Sequence, residues 1–252
     1  MNIKYILISL GEPYSVFSEI IGKYFSKTKK QKKKIVLIGN KKLLNEQLKK
    51  LKYNLILYEI KNIKDAKKNI INIIDINFNY NKAFSKITNK SKKYIENSFD
   101  KALDIINKNK KKCILINGPV SKKAFLQKKY LGITEYLSKK TVSKNEVMLI
   151  FNNKLSVSPV TTHIPIKNVA KLINKKKIIN NILKINQFYK NILNRKISIA
   201  ILGLNPHCET TDNISEENTI INPAIKFLKE KKINITGPFA ADTFFLKKNI
   251  DN

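Results

Sequence analysis

The chain has 252 residues, 42% of them hydrophobic, which is enough to build one large or two small domains around a core and too much for a disordered protein. No apolar run approaches the about 18 residues that a membrane-spanning helix needs, and two cysteines, Cys113 and Cys208, make no disulfide framework and fit a reducing compartment. The net charge of +32 comes from 50 basic against 18 acidic residues, yet Arg195 is the sole arginine. Nucleic-acid readers lean on arginine's planar fork, and the lysines here are spread along the chain, so no specific nucleic-acid partner is expected.

In chain order, a short apolar run is followed repeatedly by a longer amphipathic one. Tyr5 to Leu10 reads as a first strand; it stops at Gly11-Glu12-Pro13, too short and too lightly flanked for a secretory signal. Val16 to Tyr24 reads as a helix, Ile35 to Ile38 as a strand ending in Gly39-Asn40, and a helix starts at Lys41. Leu55 to Ile60 is a third strand. Ser91 to Lys108 is the clearest helix, with Ile95, Phe99, Leu103 and Ile106 along one face. Cys113 to Ile116 is a strand stopped by Asn117-Gly118-Pro119. Val147 to Phe151 and Leu155 to Val160 read as a hairpin about Asn152-Asn153. Lys167 to Leu193 is helical with a break near Asn180-Asn181. Ile197 to Leu204 is a strand, Glu216 to Lys231 a helix, and Ile233 to Ile235 a last short strand. Alternating strands and helices predict an α/β fold with a mostly parallel sheet and flanking helices, whose chemistry lies beyond the carboxyl ends of the strands.

The chain's two histidines both follow strands, in Thr161-Thr162-His163-Ile164-Pro165 and Gly203-Leu204-Asn205-Pro206-His207. Neutral imidazole is a common ligand for transition metals, and two strand ends can converge on one cation. Two ligands are fewer than the about three that a catalytic metal site takes from protein, with Asp242 or a partner subunit as sources of another. The competing reading makes each histidine a local hydrogen-bonding residue at a turn.

Six segments occur in one order: Asn117-Gly118-Pro119-Val120-Ser121-Lys122, Gly132-Ile133-Thr134-Glu135-Tyr136-Leu137, the His163 segment, the His207 segment, Glu216-Glu217 to Pro223-Ala224-Ile225, and Gly237-Pro238 to Ala241-Asp242-Thr243. Together they resemble the 4-hydroxythreonine-4-phosphate dehydrogenase family of pyridoxine biosynthesis. The resemblance runs from about residue 113 to 243; upstream only the opening strand and Gly11-Glu12-Pro13 with Glu19-Ile20 echo it. It implies two lobes around a cleft, as in isocitrate and isopropylmalate dehydrogenases, with residues 1–252 forming a single catalytic unit. It also implies a cytoplasmic homodimer that acts on a small phosphorylated substrate. NAD or NADP would take a hydride from the hydroxyl-bearing carbon, and the resulting β-keto acid would lose carbon dioxide. A divalent metal such as Zn, Mg or Co would be held by three histidines, the first two matching His163 and His207. Thr134 matches a substrate contact, and Asp242 a position suited to orienting or proton transfer.

The sequence departs from the family pattern in several places. Ile133 stands where the family has a substrate-touching histidine. The opening loop carries Tyr14, Val16 and Phe17 in place of a glycine-rich run, and residues 208–214 replace another. The third metal histidine and the Lys, Asn and Arg groups for the phosphate belong to the C-terminal part of the family fold, which is expected to be absent from residues 1–252. No glycine fingerprint marks a dinucleotide site. Two alternatives stand beside the dehydrogenase: a decayed paralogue acting as a binding protein, and a basic nucleic-acid binder.

Overall fold

The computed structural model describes residues 3–28, 30–109, 112–127, 129–130, 132–141, 146–208 and 214–246, and it divides into two units, Met1–Val142 and Ser143–Asn252. Long apolar runs make central strands of a parallel sheet, because such a sheet is covered on both faces. In the first unit β1 (Tyr5–Ser9), β2 (Lys34–Gly39), β3 (Leu57–Glu59), β4 (Ile71–Asp75) and β5 (Cys113–Asn117) form one all-parallel sheet in the order β3-β4-β2-β1-β5. Alternate residues serve opposite cores. Ile8, Ile35, Leu37, Ile71 and Ile73 pack with Ile21 and Phe25 of α1 (Phe17–Lys27) and Leu44 and Leu48 of α2 (Lys41–Lys50). Leu7, Val36, Ile38 and Ile74 pack with Ala102 and Ile105 of α3 (Lys92–Lys108). The N-terminal half of α3 gives Tyr94, Ile95 and Phe99 to a further aromatic cluster with Phe125 and with Tyr136 of α4 (Ile133–Lys140).

Strand β4 was not foreseen from the sequence, because Asn72 interrupts its apolar pattern. Asn72 is fully buried, and its amide is satisfied by the carbonyls of Ile35, Lys67 and Ile70, each at 2.9 Å, while its Oδ1 accepts from the Lys67 N–H. A polar residue therefore sits in the sheet by capturing the chain that enters it.

The second unit is built on β6 (Ile199–Leu202) and β7 (Ile235–Phe239), a parallel pair. A π turn, Glu217–Ile221, leads into α7 (Asn222–Glu230), which connects them. Ile221, Ala224, Ile225 and Leu228 bury themselves with Ile235 and with Ile178 and Ile182 of α6 (Lys175–Phe188). Three expectations are corrected here. The helix expected to break at Asn180-Asn181 instead breaks at 173–174, between α5 (Val169–Leu172) and α6. There Asn174 takes extended backbone and its side chain accepts from the Lys177 N–H at 2.9 Å, an N-cap that starts a new helix. The hairpin of residues 147–160 reduces, among the described residues, to one antiparallel bridge, Ile150 with Val157, whose neighbours Met148, Phe151 and Leu155 stay exposed. Gly237-Pro238, expected just after the last strand, lies within β7; its glycine, at φ +121°, lets β7 pass against the Ile201 carbonyl. Outside that bridge, every described strand pairing is parallel, as expected for a mostly parallel α/β fold.

Candidate functional site

In the first unit the strand order runs outward from β1 in both directions, so the switch point lies between β1 and β5. A crevice there is the usual ligand position of an open parallel sheet. In this chain the two loops close on each other instead. Gly118 N–H donates to the Ser9 carbonyl at 2.7 Å, and Glu12 N–H to the Pro119 carbonyl at 2.8 Å. Gly11 has φ +68°, and a Cβ on it would strike the Pro119 carbonyl; one on Gly118 would strike the Leu10 carbonyl and lie 2.7 Å from Phe17. These glycines allow loop to meet loop, with no space left for a ligand between their backbones.

Glu12 is the charged group of this strand end. It is only 2% exposed; its Oε2 accepts from the Ser91 hydroxyl at 2.9 Å, while its Oε1 is buried without a partner. Burial pushes its carboxyl above the ordinary value, against the opposing pull of the Ser91 and Tyr14 hydrogen bonds. The surrounding small cavity is lined by Ser18, Asn40, Gln47 and Tyr94 among others, and Ser18 Oγ is a second buried oxygen without a partner.

Thr134, the expected substrate contact, is exposed in the first turn of α4, after Gly132. Its neighbour Ile133 packs against the aromatic cluster of Phe99, Phe125 and Tyr136. The residue in place of the family's histidine thus serves the core.

In the second unit β6 and β7 are neighbours, so their carboxyl ends bring His207 and Asp242 together, with Nδ1 3.7 Å from Oδ2. Both side chains are more than half exposed. That separation is an ion-pair distance when the imidazole is protonated and is longer than a hydrogen bond. His207 and Cys208 sit at φ 58° and 60°, left-handed values that cost a non-glycine residue about 1–3 kcal/mol each, so the turn must be held from outside. His163 is exposed at φ 55° in its own turn. Among the described residues no three His, Cys, Asp or Glu side chains gather as a metal site. Two imidazoles and a carboxylate have the right chemistry for a divalent transition metal, but they do not close around one. Residues 209–213, with Glu209 and Asp212, lie outside the described residues.

Glu217 is the anchor that sequence reasoning passed over. It is 1% exposed and accepts the N–H groups of Leu204 (2.7 Å) and Asn205 (2.9 Å) on Oε1, and Asn205 Nδ2 (2.7 Å) on Oε2. Burial alone would raise its carboxyl; the hydrogen bonds from Asn205, its own N–H and Leu204 outweigh burial and hold it below the ordinary value. The signal available was the rarity of acids, since Glu216-Glu217 is a paired carboxylate in a chain with 18 acidic residues.

Parallel strands with polar side chains at their carboxyl ends define an α/β protein, a class whose ligands bind beyond those ends. Comparison with known proteins narrows the class. The chain belongs to the family described as Pyridoxal phosphate biosynthetic protein PdxA, which it matches over residues 31–252, well upstream of the motifs at 113–243. It is 37% identical to the 4-hydroxythreonine-4-phosphate dehydrogenase of Sulfurihydrogenibium sp. (strain YO3AOP1), covering 95% of this chain and 75% of that one. It is 32% identical to the enzyme of that name from Wigglesworthia glossinidia brevipalpis, covering 98% and 76%. A Salmonella typhimurium structure assigned the same activity superposes with TM-score 0.84 at 25% identity, over 100% of this chain and 79% of the other. The family is one of NAD(P)-dependent oxidoreductases, and membership implies NAD(P) and a divalent metal.

Proposed function

We propose that this chain oxidises and decarboxylates a phosphorylated hydroxy amino acid such as 4-phosphohydroxy-L-threonine, as one cytoplasmic step of pyridoxal phosphate biosynthesis. What supports the reading is the family match together with the pairing of His207 and Asp242 at adjacent strand ends. Bound NAD or NADP supplies the hydride acceptor. Asp242, an exposed carboxylate, takes the proton of the substrate hydroxyl as its C–H bond is oxidised. His207 beside it steadies that carboxylate. The bond to the substrate carboxylate then breaks, carbon dioxide leaves, and the electron pair stays on carbon until a proton returns. Thr134, exposed at the start of α4, is the proposed substrate contact of the first unit. His163 and His207 are the residues proposed to face the family's cation, zinc, magnesium or cobalt. The described residues do not complete a site for it.

The active form is proposed to be a homodimer, with residues 1–252 acting as one catalytic unit. The exposed Met148, Ile150, Phe151, Leu155 and Val157 around the isolated bridge give the apolar surface that a second copy would cover. Among the described residues no helix is long and apolar enough to cross a membrane.

The test is turnover of 4-phosphohydroxy-L-threonine by the purified chain, followed by nicotinamide reduction and carbon dioxide release. His163→Ala, His207→Ala and Asp242→Asn are each expected to cut kcat by about 100-fold or more, within the range for positioned acid-base groups. A folded wild-type chain without turnover would sink the reading and leave a binding protein on the same fold.

A further inference from the structure

We infer that Glu217 is a positioning residue for the proposed site: its buried carboxylate clamps the Leu204–Asn205 turn and so fixes where His207 is presented. The inference rests on the reading of His207 given above. On one side Glu217 opens the π turn that leads into α7, whose Ile221, Ala224, Ile225 and Leu228 are seated in the core. On the other side it holds the first two residues of the loop beyond Gly203 through three donors, and Glu216 Oε2 takes Asn205 Nδ2 as well at 2.9 Å. The loop then turns back on itself: Cys208 N–H donates to the Asn205 carbonyl at 3.1 Å, and the Cys208 sulfur lies 2.5 Å from where a Cβ on Gly203 would be. His207 lies inside this closed turn and is itself exposed, with Asp242 beside it. Its direction is therefore set by the turn, and the turn by Glu217. The carboxylate has no part of its own in the chemistry, because it is buried and both oxygens are occupied by N–H donors.

The chain has two histidines, so its side-chain NMR spectrum holds two imidazole signals, and His207→Ala assigns them. In Glu217→Ala, amide exchange at Leu204 and Asn205 is expected to rise about tenfold or more relative to β7, as local opening becomes easier. The His207 imidazole signal shifts and the His163 signal stays. Glu217→Gln keeps an acceptor oxygen for both backbone donors and gives up only the Asn205 Nδ2 bond, so both readouts are expected to return most of the way to wild type. Glu217→Asp carries the test if the alanine variant does not fold, since a shorter carboxylate withdraws from the donors. Unchanged exchange at Leu204 and Asn205 and an unmoved His207 signal would overturn the inference. Turnover separates the two claims: His207→Ala with wild-type kcat defeats the functional reading, while the NMR arm still decides the clamp.

Discussion

Replacing Glu12 by Gln removes one buried charge and changes little else in shape. The wild-type carboxyl is raised above its ordinary value of 4.5 by burial, with Ser91 and Tyr14 opposing. Between that ordinary value and its raised folded value, the folded chain binds more protons at Glu12 than the unfolded chain does. Stability from this group is therefore fully present below 4.5 and is lost as pH rises through the folded value. Once ionised, above its folded value, the group leaves Oε1 buried without a partner, a burden of about 1–3 kcal/mol for an unsatisfied buried polar atom and more for a charged one. Urea unfolding followed by circular dichroism, from about pH 4 to about pH 8, measures this when wild type and Glu12→Gln are run side by side. The difference in unfolding free energy should be flat at the acid end, move against the wild type by at most ~1.4 kcal/mol per pH unit within the window, and flatten again. Glu217, held below its ordinary value, contributes with the opposite sign in acid, but equally in both proteins, so it cancels. Parallel curves at every pH, or a wild type that gains on the variant as pH rises, would refute the argument.

Two further substitutions probe the strand ends of the first unit. Gly118→Ala places a methyl group against the Leu10 carbonyl and 2.7 Å from Phe17. Because part of the obstacle is backbone, the loss should reach the upper end of the about 1–3 kcal/mol typical of overpacking, and a thermal midpoint close to wild type would contradict the loop-to-loop contact. Asn40→Ala removes the cap bond to the Leu43 N–H (2.8 Å) and the bond to the Ile76 carbonyl (3.0 Å). A loss of about 2 kcal/mol in urea unfolding is expected, and less than about 0.5 kcal/mol would mean that neither bond matters.

Much of this was legible in the sequence, for identifiable reasons. β1, β2 and β5 are apolar runs ended by Gly, Asn or Pro, and α3 carries its apolar face at helical spacing, so local pattern and tertiary role agree. β4 was hidden because Asn72 earns its place through bonds that only the folded loop of residues 67–70 supplies. The 147–160 segment carried strand-like residues that, among the described residues, pair only with one another and only at Ile150 and Val157. His207 and Asp242 were legible because both follow strands, and the parallel pairing of β6 with β7 brings their ends together. The roles of Glu12 and Glu217 were not, because a buried carboxylate is defined by partners elsewhere. Ser91 lies 79 positions from Glu12, and Asn205 lies 12 from Glu217.

The division of labour between these acids follows from what each task requires. A group proposed to meet substrate must be accessible, and the proposed Thr134, His163, His207 and Asp242 are all exposed. Exposed side chains have few contacts to hold them, so their geometry must be supplied by something buried nearby. In the second unit that is Glu217, satisfied on both oxygens and tied into the core through α7. In the first unit Glu12, just after β1, is also buried, but with one oxygen unsatisfied. Both oxygens of Glu217 thus have donors, whereas the unpaired Oε1 of Glu12 carries the cost of a buried acceptor without one.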